Sequence, residues 1–222
     1  MSYKEEFIDF LVKKEALKFG GFKLKSGRLS PYFFTTGNFN TGESIYRLGY
    51  FYASEIVEEK IDFDVIFGPA YKGIPLAVTC AISLAKDFQT DKGYMFDRKE
   101  IKDYGDKSAF VGYEPKEGEK ILLIDDVMTT GKTKEDALEK VKGNFGEREC
   151  SCLLIAFNRQ EKDEQGANAL EEFEKKYGIP VKAIVTVREV IDYLHNKEID
   201  SKVYLDDETK EKLENYLKEY GV

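Results

Sequence analysis

The sequence predicts an α/β fold in which a parallel sheet is covered by helices on both faces. Short apolar runs alternate with amphipathic helical patterns along the chain, which is typical of βαβ units. The chain has 222 residues, of which 42% are hydrophobic and 14% aromatic, and this is enough for one well-filled core. Because the sequence contains neither an internal repeat nor a linker-like stretch, we expect a single domain over residues 1–222.

The first forty residues predict a helix followed by two short extended pieces. Ser2 and Glu5 form a capping box, and apolar residues then recur at helical spacing until Gly20. Residues 21–39 alternate poorly and contain Ser30-Pro31, which indicates a turn between two extended pieces.

The rest of the chain alternates strands with helices in a regular order. Runs of β-branched and other apolar residues predict strands at residues 63–68, 93–96, 120–126, 150–157 and 181–187. Amphipathic patterns predict helices at residues 43–60, 74–88, 133–142, 168–178, 188–197 and 206–221. Right-handed crossovers would then place the strand-to-helix loops along one edge of the sheet, where ligands usually bind.

Residues 98–119 interrupt this alternation. The segment is rich in Lys, Arg, Gly and acidic residues, and its first half has few apolar residues to hold it against a core. A connection of this length inside a compact domain is usually functional or disordered, although a solvated charged hairpin is the alternative for the segment taken alone.

The composition excludes several classes of protein. Lys and Arg number 34 against 42 Asp and Glu, so the net charge is −8. This surplus of negative charge argues against nucleic-acid binding, and an anionic ligand would need a local cluster of positive charge. No apolar run approaches the roughly 18 residues that span a bilayer. Three cysteines inside apolar stretches indicate buried, reduced thiols. Together with the lack of a long apolar run, this leads us to expect a soluble cytoplasmic protein without membrane or signal segments.

The clearest chemistry lies in ILLIDDVMTTGKT, residues 121–133. Four apolar residues predict a buried strand, and two carboxylates, Asp125 and Asp126, follow at its carboxyl end. Gly131 and small hydroxyl residues then turn the chain into a helix, whose first N–H groups form a ready site for a phosphate. Ribose 5-phosphate, which has a phosphate at one end and vicinal hydroxyls nearby, would satisfy both sets of groups.

Two other interpretations of this segment are a nucleotide P-loop and a purely structural turn. Gly131-Lys132-Thr133 resembles the end of G-x-x-x-x-G-K-[ST], but the first glycine of that motif would fall at position 126, which is Asp. A carboxylate there cannot supply the backbone cradle, which argues against the P-loop. A capped turn with a solvated Asp pair remains open from this segment alone.

Residues 121–131 resemble the phosphoribosyl pyrophosphate (PRPP) signature of type I phosphoribosyltransferases. The shared pattern is four apolar residues, then Asp-Asp, one further apolar residue, and x-Thr-x-Gly. Within that group, residues 24–34, 67–77, 97–105 and 157–161 resemble the orotate phosphoribosyltransferase family in order and approximate spacing. The similarity covers nearly the whole chain. It implies the fold of that family, a small hood built largely from residues 1–40 and a mobile catalytic loop at about 98–112.

The resemblance also implies a reaction. Ribose 5-phosphate would pass reversibly from PRPP to N1 of orotate, giving orotidine 5′-monophosphate and pyrophosphate in pyrimidine biosynthesis. Because orotate is already an anion, catalysis would consist mainly of alignment and electrostatic stabilisation of the departing pyrophosphate. Mg²⁺ would be carried by PRPP rather than held directly by the protein. The loop would serve the active site of a neighbouring subunit, which implies a homodimer.

Individual roles follow from the same resemblance. The catalytic residues would be Lys99, Lys102, Tyr104, Asp125 and Asp126, with the two carboxylates on the ribose hydroxyls. PRPP would be bound by these five residues and by Lys25, Tyr71, Lys72, Arg98, Val127, Met128, Thr129, Thr130, Gly131, Lys132 and Thr133. Orotate would lie beside Phe33 and Phe34, touch Thr129, and have its carboxylate gripped by Arg159. Taken alone, a Tyr-Phe-Phe run is more often part of a core.

The chain departs from the family at two positions. Tyr104 stands where the family has a histidine, and a phenol with a pKa near 10 carries no positive charge. Lys132 stands where a small residue is expected. The alternatives to the orotate enzyme are a PRPP-sensing regulator without activity and a transferase for another base such as a purine. The loop lysines, Arg159 and the Phe pair favour the orotate enzyme.

Overall fold

The computed structural model describes residues 1–24, 27–100, 108–128, 131–163 and 165–222. Its helices are α1 (Tyr3–Lys13), α2 (Gly42–Glu58), α3 (Gly73–Asp87), α4 (Lys132–Phe145), α5 (Ala169–Tyr177), α6 (Val187–Leu194) and α7 (Asp207–Tyr220). Its strands are β1 (Leu17–Lys23), β2 (Leu29–Phe34), β3 (Val65–Phe67), β4 (Gly93–Asp97), β5 (Phe110–Gly112), β6 (Ile121–Asp125), β7 (Cys150–Asn158), β8 (Val181–Thr186), β9 (Glu198–Ile199) and β10 (Lys202–Val203).

The central sheet confirms the predicted α/β class. Within the described ranges its strand order is β5-β4-β3-β6-β7-β8. The neighbours from β4 through β8 pair in parallel, whereas β5 is antiparallel to β4 at the edge. The predicted parallel sheet is therefore confirmed except at this edge. There, three residues of the charged segment form a strand that is too short to show a pattern of alternating apolar residues. The arrangement brings the carboxyl ends of β3, β6 and β7 side by side.

Helices cover both faces of this sheet, as the alternation predicted. Apolar residues of α4 and α5 pack on one face, and those of α1, α2, α3, α6 and α7 pack on the other. Alternate residues of β6 divide between the two layers, with Leu123 facing α4 and α5 and its neighbours Leu122 and Ile124 facing the opposite layer. This division decides where the carboxylates after the strand point.

The N-terminal segment forms a helix and a β-hairpin, so the predicted helix to Gly20 is wrong in its second half. Helix α1 has the predicted Ser2 capping box but ends at Lys13, and Glu15 reverses the chain with a φ of 54°. Strand β1 then pairs antiparallel with β2, and Pro31 lies within β2 rather than in a turn. Apolar spacing alone does not separate a helix end from a strand here, because Leu17 is buried in either case. Pro31 is tolerated opposite an irregular stretch of the ladder between Phe19 and Phe22.

Two further details differ from expectation. The end of the predicted loop, Phe110–Gly112, belongs to the sheet as β5, whereas residues 101–107 of that loop lie outside the described residues. A short hairpin of β9 and β10 precedes α7 and was not predicted. No helix in the part of the chain that the structure describes is long and apolar enough to cross a membrane.

Candidate active site

Three loops that follow neighbouring parallel strands form the candidate site. The loop after β3 carries Lys72, β6 ends at Asp125 and is followed by Asp126, and β7 leads into Arg159. Parallel strands deliver such loops to the same edge of a sheet. Lys72, the two carboxylates and Arg159 are thereby placed at the ends of adjacent strands, although Lys72 and Arg159 are 87 residues apart in the sequence.

Asp126 joins two of these loops to the hood side of the molecule. Its Oδ2 accepts a hydrogen bond from Lys72 Nζ at 2.6 Å and from the Thr36 hydroxyl at 3.2 Å. Its Oδ1 accepts the backbone N–H of Val127 at 2.9 Å. The Asp126 side chain is 7% exposed, whereas that of Lys72 is 60% exposed. The carboxylate is therefore fixed, while its lysine partner reaches it from solvent.

Asp125 is held differently, by a lysine that sequence reasoning missed. Its Oδ2 lies 2.6 Å from the Nζ of Lys134, in the first turn of α4, and its Oδ1 accepts the N–H of Asp126 at 2.8 Å. The same Nζ donates to the carbonyl oxygen of Val127 at 2.7 Å. Burial raises the pKa of Asp125 above its usual value, and the Lys134 ammonium works against that shift.

The loop between β3 and α3 is built from closely packed glycines. A Cβ atom on Gly68 would lie 2.0 Å from the carbonyl oxygen of Gly73, and one on Gly73 would lie 2.5 Å from the carbonyl carbon of Gly68. These positions therefore accept only glycine. The peptide bond between Ala70 and Tyr71 is cis, and the N–H of Ala70 donates to Asp97 Oδ1 at 2.6 Å.

Asp97, at the end of β4, links this loop to α4. Its carboxylate is 3% exposed and also pairs with Lys140 of α4. The next residues, Arg98 and Lys99, open the predicted catalytic loop, and the N–H of Arg98 donates to the carbonyl oxygen of Ala109 at 2.7 Å. Lys99 Nζ lies 5.9 Å from the centroid of the Tyr71 ring, so two predicted PRPP residues from different loops do come together.

The turn into α4 has the conformation that its glycine predicts. Gly131 precedes α4 with a φ of 76°, which is unfavourable for a side chain, and a Cβ there would lie 2.9 Å from Met128 Cε. Lys132 and Thr133 are exposed in the first turn of the helix, Val127 is half-buried and Met128 is buried. The exposed first turn agrees with the predicted phosphate position, since helix N-terminal N–H groups attract anions.

Arg159 lies in a dense polar cluster beneath the hood. Its Nη2 donates to Glu161 Oε1 at 2.8 Å and to the Ser30 hydroxyl at 3.3 Å, and its Cζ lies 4.6 Å from the centroid of the Tyr32 ring. The Tyr32 hydroxyl donates to the same Glu161 oxygen at 2.5 Å. Burial acts to lower the pKa of Arg159. The neighbouring Tyr32 and Glu161 outweigh burial and raise that pKa above its usual value, so the guanidinium stays charged.

The two predicted ring residues behave differently. Phe34 is buried and its ring is stacked on Phe157, with centroids 4.9 Å apart and planes 17° apart. Phe33 is 39% exposed and contacts Phe22, with centroids 5.6 Å apart. The Phe33 ring is therefore the one that a planar ligand could cover, whereas Phe34 serves mainly as core.

Five predicted site residues lie outside the described residues, so their predicted roles stay predictions. They are Lys25, Lys102, Tyr104, Thr129 and Thr130.

Several residues that shape the site were not singled out from the sequence. Lys134 and Lys140 read as ordinary surface lysines of an amphipathic helix, and Thr36 had no motif around it. Glu161 lies within residues 157–161, and a carboxylate two residues after a candidate anion-binding Arg was an available signal.

A cleft of about 420 Å³ opens beside Lys72 and Thr36. Its wall is mostly apolar and includes Phe39, Ile45, Pro75 and Leu76. The cleft is therefore lined by Thr36 and Lys72, the two residues whose side chains donate to Asp126.

Comparisons with known proteins show the family of the chain. The sequence matches the family described as Phosphoribosyl transferase domain over residues 35–185. It is 47% identical to an orotate phosphoribosyltransferase of Agathobacter rectalis, over 99% of this chain and 98% of that protein. It is 43% identical to an orotate phosphoribosyltransferase of Clostridium botulinum, with the same coverage of 99% and 98%. A crystal structure of orotate phosphoribosyltransferase from Francisella tularensis is similar with a TM-score of 0.84 and 36% identity, covering 98% of this chain and 100% of that one.

Proposed function

The chain belongs to the orotate phosphoribosyltransferase family, and we propose that its three-loop site transfers ribose 5-phosphate from PRPP to N1 of orotate in pyrimidine biosynthesis. The observation that carries this proposal is the placement of Lys72, Asp126 and Arg159 after three adjacent parallel strands. A cation for phosphates, a carboxylate for ribose hydroxyls and a guanidinium for a carboxylate thus stand along one edge.

Orotate needs orientation more than activation. Its negative charge lies on the carboxylate, and N1 carries a proton. As N1 bonds to C1′ of PRPP and the bond from C1′ to pyrophosphate breaks, this proton leaves N1 for a pyrophosphate oxygen or water. The Arg159 guanidinium, which is 14% exposed, would hold the orotate carboxylate bidentately and set the direction of N1. The half-exposed Phe33 ring would cover one face of the pyrimidine.

The lysines would act on the leaving group. As the bond from C1′ to the pyrophosphate oxygen breaks, negative charge grows on the pyrophosphate, and fixed positive charge lowers the energy of that state. Lys72 and Lys99 are exposed at the mouth of the site, and Lys102 and Arg98 belong to the same predicted set. Closure of the loop at about 98–112 over the substrates would exclude water that would otherwise hydrolyse PRPP.

The acidic residues fit a magnesium ion that PRPP brings with it. Asp125 and Asp126 are each paired with a lysine at 2.6 Å, so their charge is already partly neutralised before PRPP binds. Mg²⁺ commonly binds through substrate phosphates with few protein ligands. When bound, it would supply positive charge to the pyrophosphate.

A homodimer is also proposed, with the predicted loop shared between subunits. Helix α3 carries Ile74, Val78 and Ile82 at four-residue spacing, with Ile82 44% exposed and the other two half-buried. Tyr71 and Tyr94 are exposed as well, at 72% and 39%. An outward apolar stripe of this kind is typical of an interface between subunits. Sedimentation of the wild type as a monomer would contradict the proposal, and Ile82→Glu should weaken the dimer.

A cytoplasmic location is the remaining proposal. Cys80, Cys150 and Cys152 are free thiols, and burial raises the pKa of Cys150 and Cys152 to about 12. Inert reduced thiols suit a reducing compartment.

The deciding experiment follows the absorbance of orotate after addition of PRPP and Mg²⁺. We expect orotate to disappear with the release of one pyrophosphate per orotate, and we expect Asp126→Asn to lose most of this activity. Adenine, guanine and uracil, each tested in place of orotate, identify a transferase for another base. Calorimetric binding of PRPP without consumption of any base would instead indicate a PRPP sensor and would overturn the proposed activity.

A further inference from the structure

Residues 220–222 at the end of α7, which we call the tail, lie beside residues 159–162 after β7, which we call the clamp segment. An antiparallel bridge between Glu161 and Gly221 joins the two segments. Two backbone hydrogen bonds flank this bridge, from the N–H of Lys162 to Tyr220 at 2.7 Å and from the N–H of Val222 to Gln160 at 3.0 Å. The tail is therefore bonded along the segment that begins with Arg159, although the proposed reaction gives the tail no role.

The clamp segment lies outside the central sheet. Strand β7 ends at Asn158, and Gln160 has a φ of 49°, so the chain leaves the line of the strand before it reaches Glu161. The last residue pair between β7 and β8 is Asn158 with Thr186, so pairing with β8 does not hold the clamp segment. The backbone bonds from the tail supply the support that a neighbouring strand would give.

Glu161 connects the backbone of the clamp segment to the guanidinium of Arg159. Its Oε1 accepts hydrogen bonds from Arg159 Nη2 at 2.8 Å and from the Tyr32 hydroxyl at 2.5 Å. The side chains of Glu161 and Arg159 are 9% and 14% exposed, so this charge-assisted contact is largely shielded from water. A shift of the Glu161 backbone would therefore also shift the guanidinium.

Gly221 allows the tail to pack directly on the last turn of α7. Its N–H donates to the carbonyl oxygen of Leu217 at 2.9 Å, and a Cβ on Gly221 would lie 2.3 Å from the same oxygen. Its φ of −79° and ψ of 159° suit any residue, so the close contact and not the backbone conformation requires glycine. Because Tyr216 and Leu217 are buried and fix the end of the helix, a side chain at position 221 would displace the tail.

We propose, on the basis of the proposed function, that Gly221 is a positioning residue for orotate. It lets the tail hold the backbone of Glu161, and the Glu161 carboxylate in turn holds the Arg159 guanidinium in the orientation that binds the orotate carboxylate. Gly221 has no side chain and acts only through these two residues. The binding of PRPP does not depend on Gly221, because the proposed contacts of PRPP come from other loops.

The test compares Gly221→Ala with Val222→Pro, which removes the N–H that donates to the carbonyl oxygen of Gln160. Gly143→Ala is the control for the first variant, because a Cβ on Gly143 in α4 meets no described atom within 4 Å. Val222→Ala is the control for the second, because it shortens a side chain that is 42% exposed and keeps the N–H.

Initial rates of orotate consumption are measured with each substrate varied in turn, and the thermal midpoint of each variant is recorded. A wild type that consumes no orotate under any condition refutes the proposed function itself. The role of Gly221 is judged from the variants of an active wild type, so the two failures are distinguishable.

We expect Gly221→Ala to raise the KM for orotate about fivefold to thirtyfold and to change the KM for PRPP by less than about twofold. Val222→Pro removes one backbone hydrogen bond and should raise the KM for orotate about threefold to tenfold. Gly143→Ala and Val222→Ala should each lie within about twofold of the wild type for both substrates. An unchanged KM for orotate in Gly221→Ala would overturn the proposal.

A double-mutant cycle with Arg159→Met separates positioning from a general structural effect. If Gly221 acts through Arg159, Gly221→Ala should lower kcat/KM for orotate by less than about twofold in the Arg159→Met background, because the guanidinium that it positions is already absent. A loss of the same size in both backgrounds, or an equal rise in both KM values, would indicate a general structural effect and would overturn the proposal. If Gly221→Ala does not fold, the same cycle with Val222→Pro decides.

Discussion

The replacement Arg159→Met tests the carboxylate site most directly, because it removes the guanidinium and keeps an unbranched side chain. Among the described residues only Nη2 donates, to Glu161 at 2.8 Å and to Ser30 at 3.3 Å. Within the described ranges Nε and Nη1 make no side-chain hydrogen bond, so they are available to a ligand there. The guanidinium is thus oriented by the protein on one side and can offer a pair of donors to orotate on the other.

The expected loss follows from the exposure of this side chain. Removing one partner of a buried charge pair costs about 2–5 kcal/mol, depending on how completely water is excluded. Arg159 is 14% exposed, which places the loss near the middle of that range, at about 3 kcal/mol or about 150-fold in the KM for orotate. The KM for PRPP should change by less than about threefold, because the contacts of Arg159 are with the hood and with Glu161.

The assay measures initial rates of orotate consumption while each substrate is varied in turn. Arg28→Met is the matched control, since Arg28 lies 3.4 Å from Glu161 and donates to the carbonyl oxygen of Lys162 without a proposed contact to orotate. It should lower the thermal midpoint and change the KM for orotate only slightly. An equal rise in both KM values for Arg159→Met, or the same orotate effect from Arg28→Met, would refute Arg159 as the carboxylate clamp.

Three other predictions concern the loop and the core. Lys99→Ala should lower kcat strongly with a modest effect on the KM for PRPP. Mixing Lys99→Ala subunits with Asp126→Asn subunits should restore part of the activity, and verified mixed dimers without activity would contradict a shared loop. Tyr104→Phe should slow the transfer about threefold to tenfold if the phenol donates one hydrogen bond, and Tyr104→His should be nearly neutral; an unchanged pH–rate profile of the Phe variant would remove Tyr104 from the reaction. Burial raises the pKa of Glu55 above the usual 4.5 despite its hydrogen bond from Tyr3, so its contribution to stability is complete below that value and is lost as the pH rises through the raised pKa. Glu55→Gln should therefore remove this loss, and urea unfolding across about pH 5 to 8 that shows the same slope as wild type would contradict it.

The sheet was predictable because each of its parallel strands is a short apolar run bounded by turn signals. KILLIDD, for example, predicts both the buried strand β6 and the position of the carboxylates after it. The hood was less predictable, since Leu17 fits a helix end as well as a strand, and its pairing with Phe34 is a tertiary fact. Strand β5 has three residues within a charged segment, too few for any periodicity.

The sequence motifs indicated candidate site residues, but not the side chains that hold those residues in place, which we call supports. Motif residues such as Lys72 and Arg159 lie where the loops after β3 and β7 place them. The supports are Lys134, which is buried in α4, and Lys140, which is half-buried in the same helix, and a lysine on an amphipathic helix is ordinarily a solvated charge. Nothing local in the sequence marks them, because their partners Asp125 and Asp97 are on strands that only the fold brings beneath the helix.

An acidic chain can bind a polyanion when its site carboxylates are already paired with lysines. In the free protein Asp126 is paired with Lys72 and Asp125 with Lys134, each at 2.6 Å, so neither carboxylate presents uncompensated charge to PRPP. With the proposed roles, Lys72 would move to the phosphates of PRPP while Asp126 would accept hydrogen bonds from the ribose hydroxyls. Both groups would then exchange one partner for another, and neither would be left buried without a partner. The cost of separating the pair is offset within the same binding step, since PRPP carries both the anion and the donors that the two residues require.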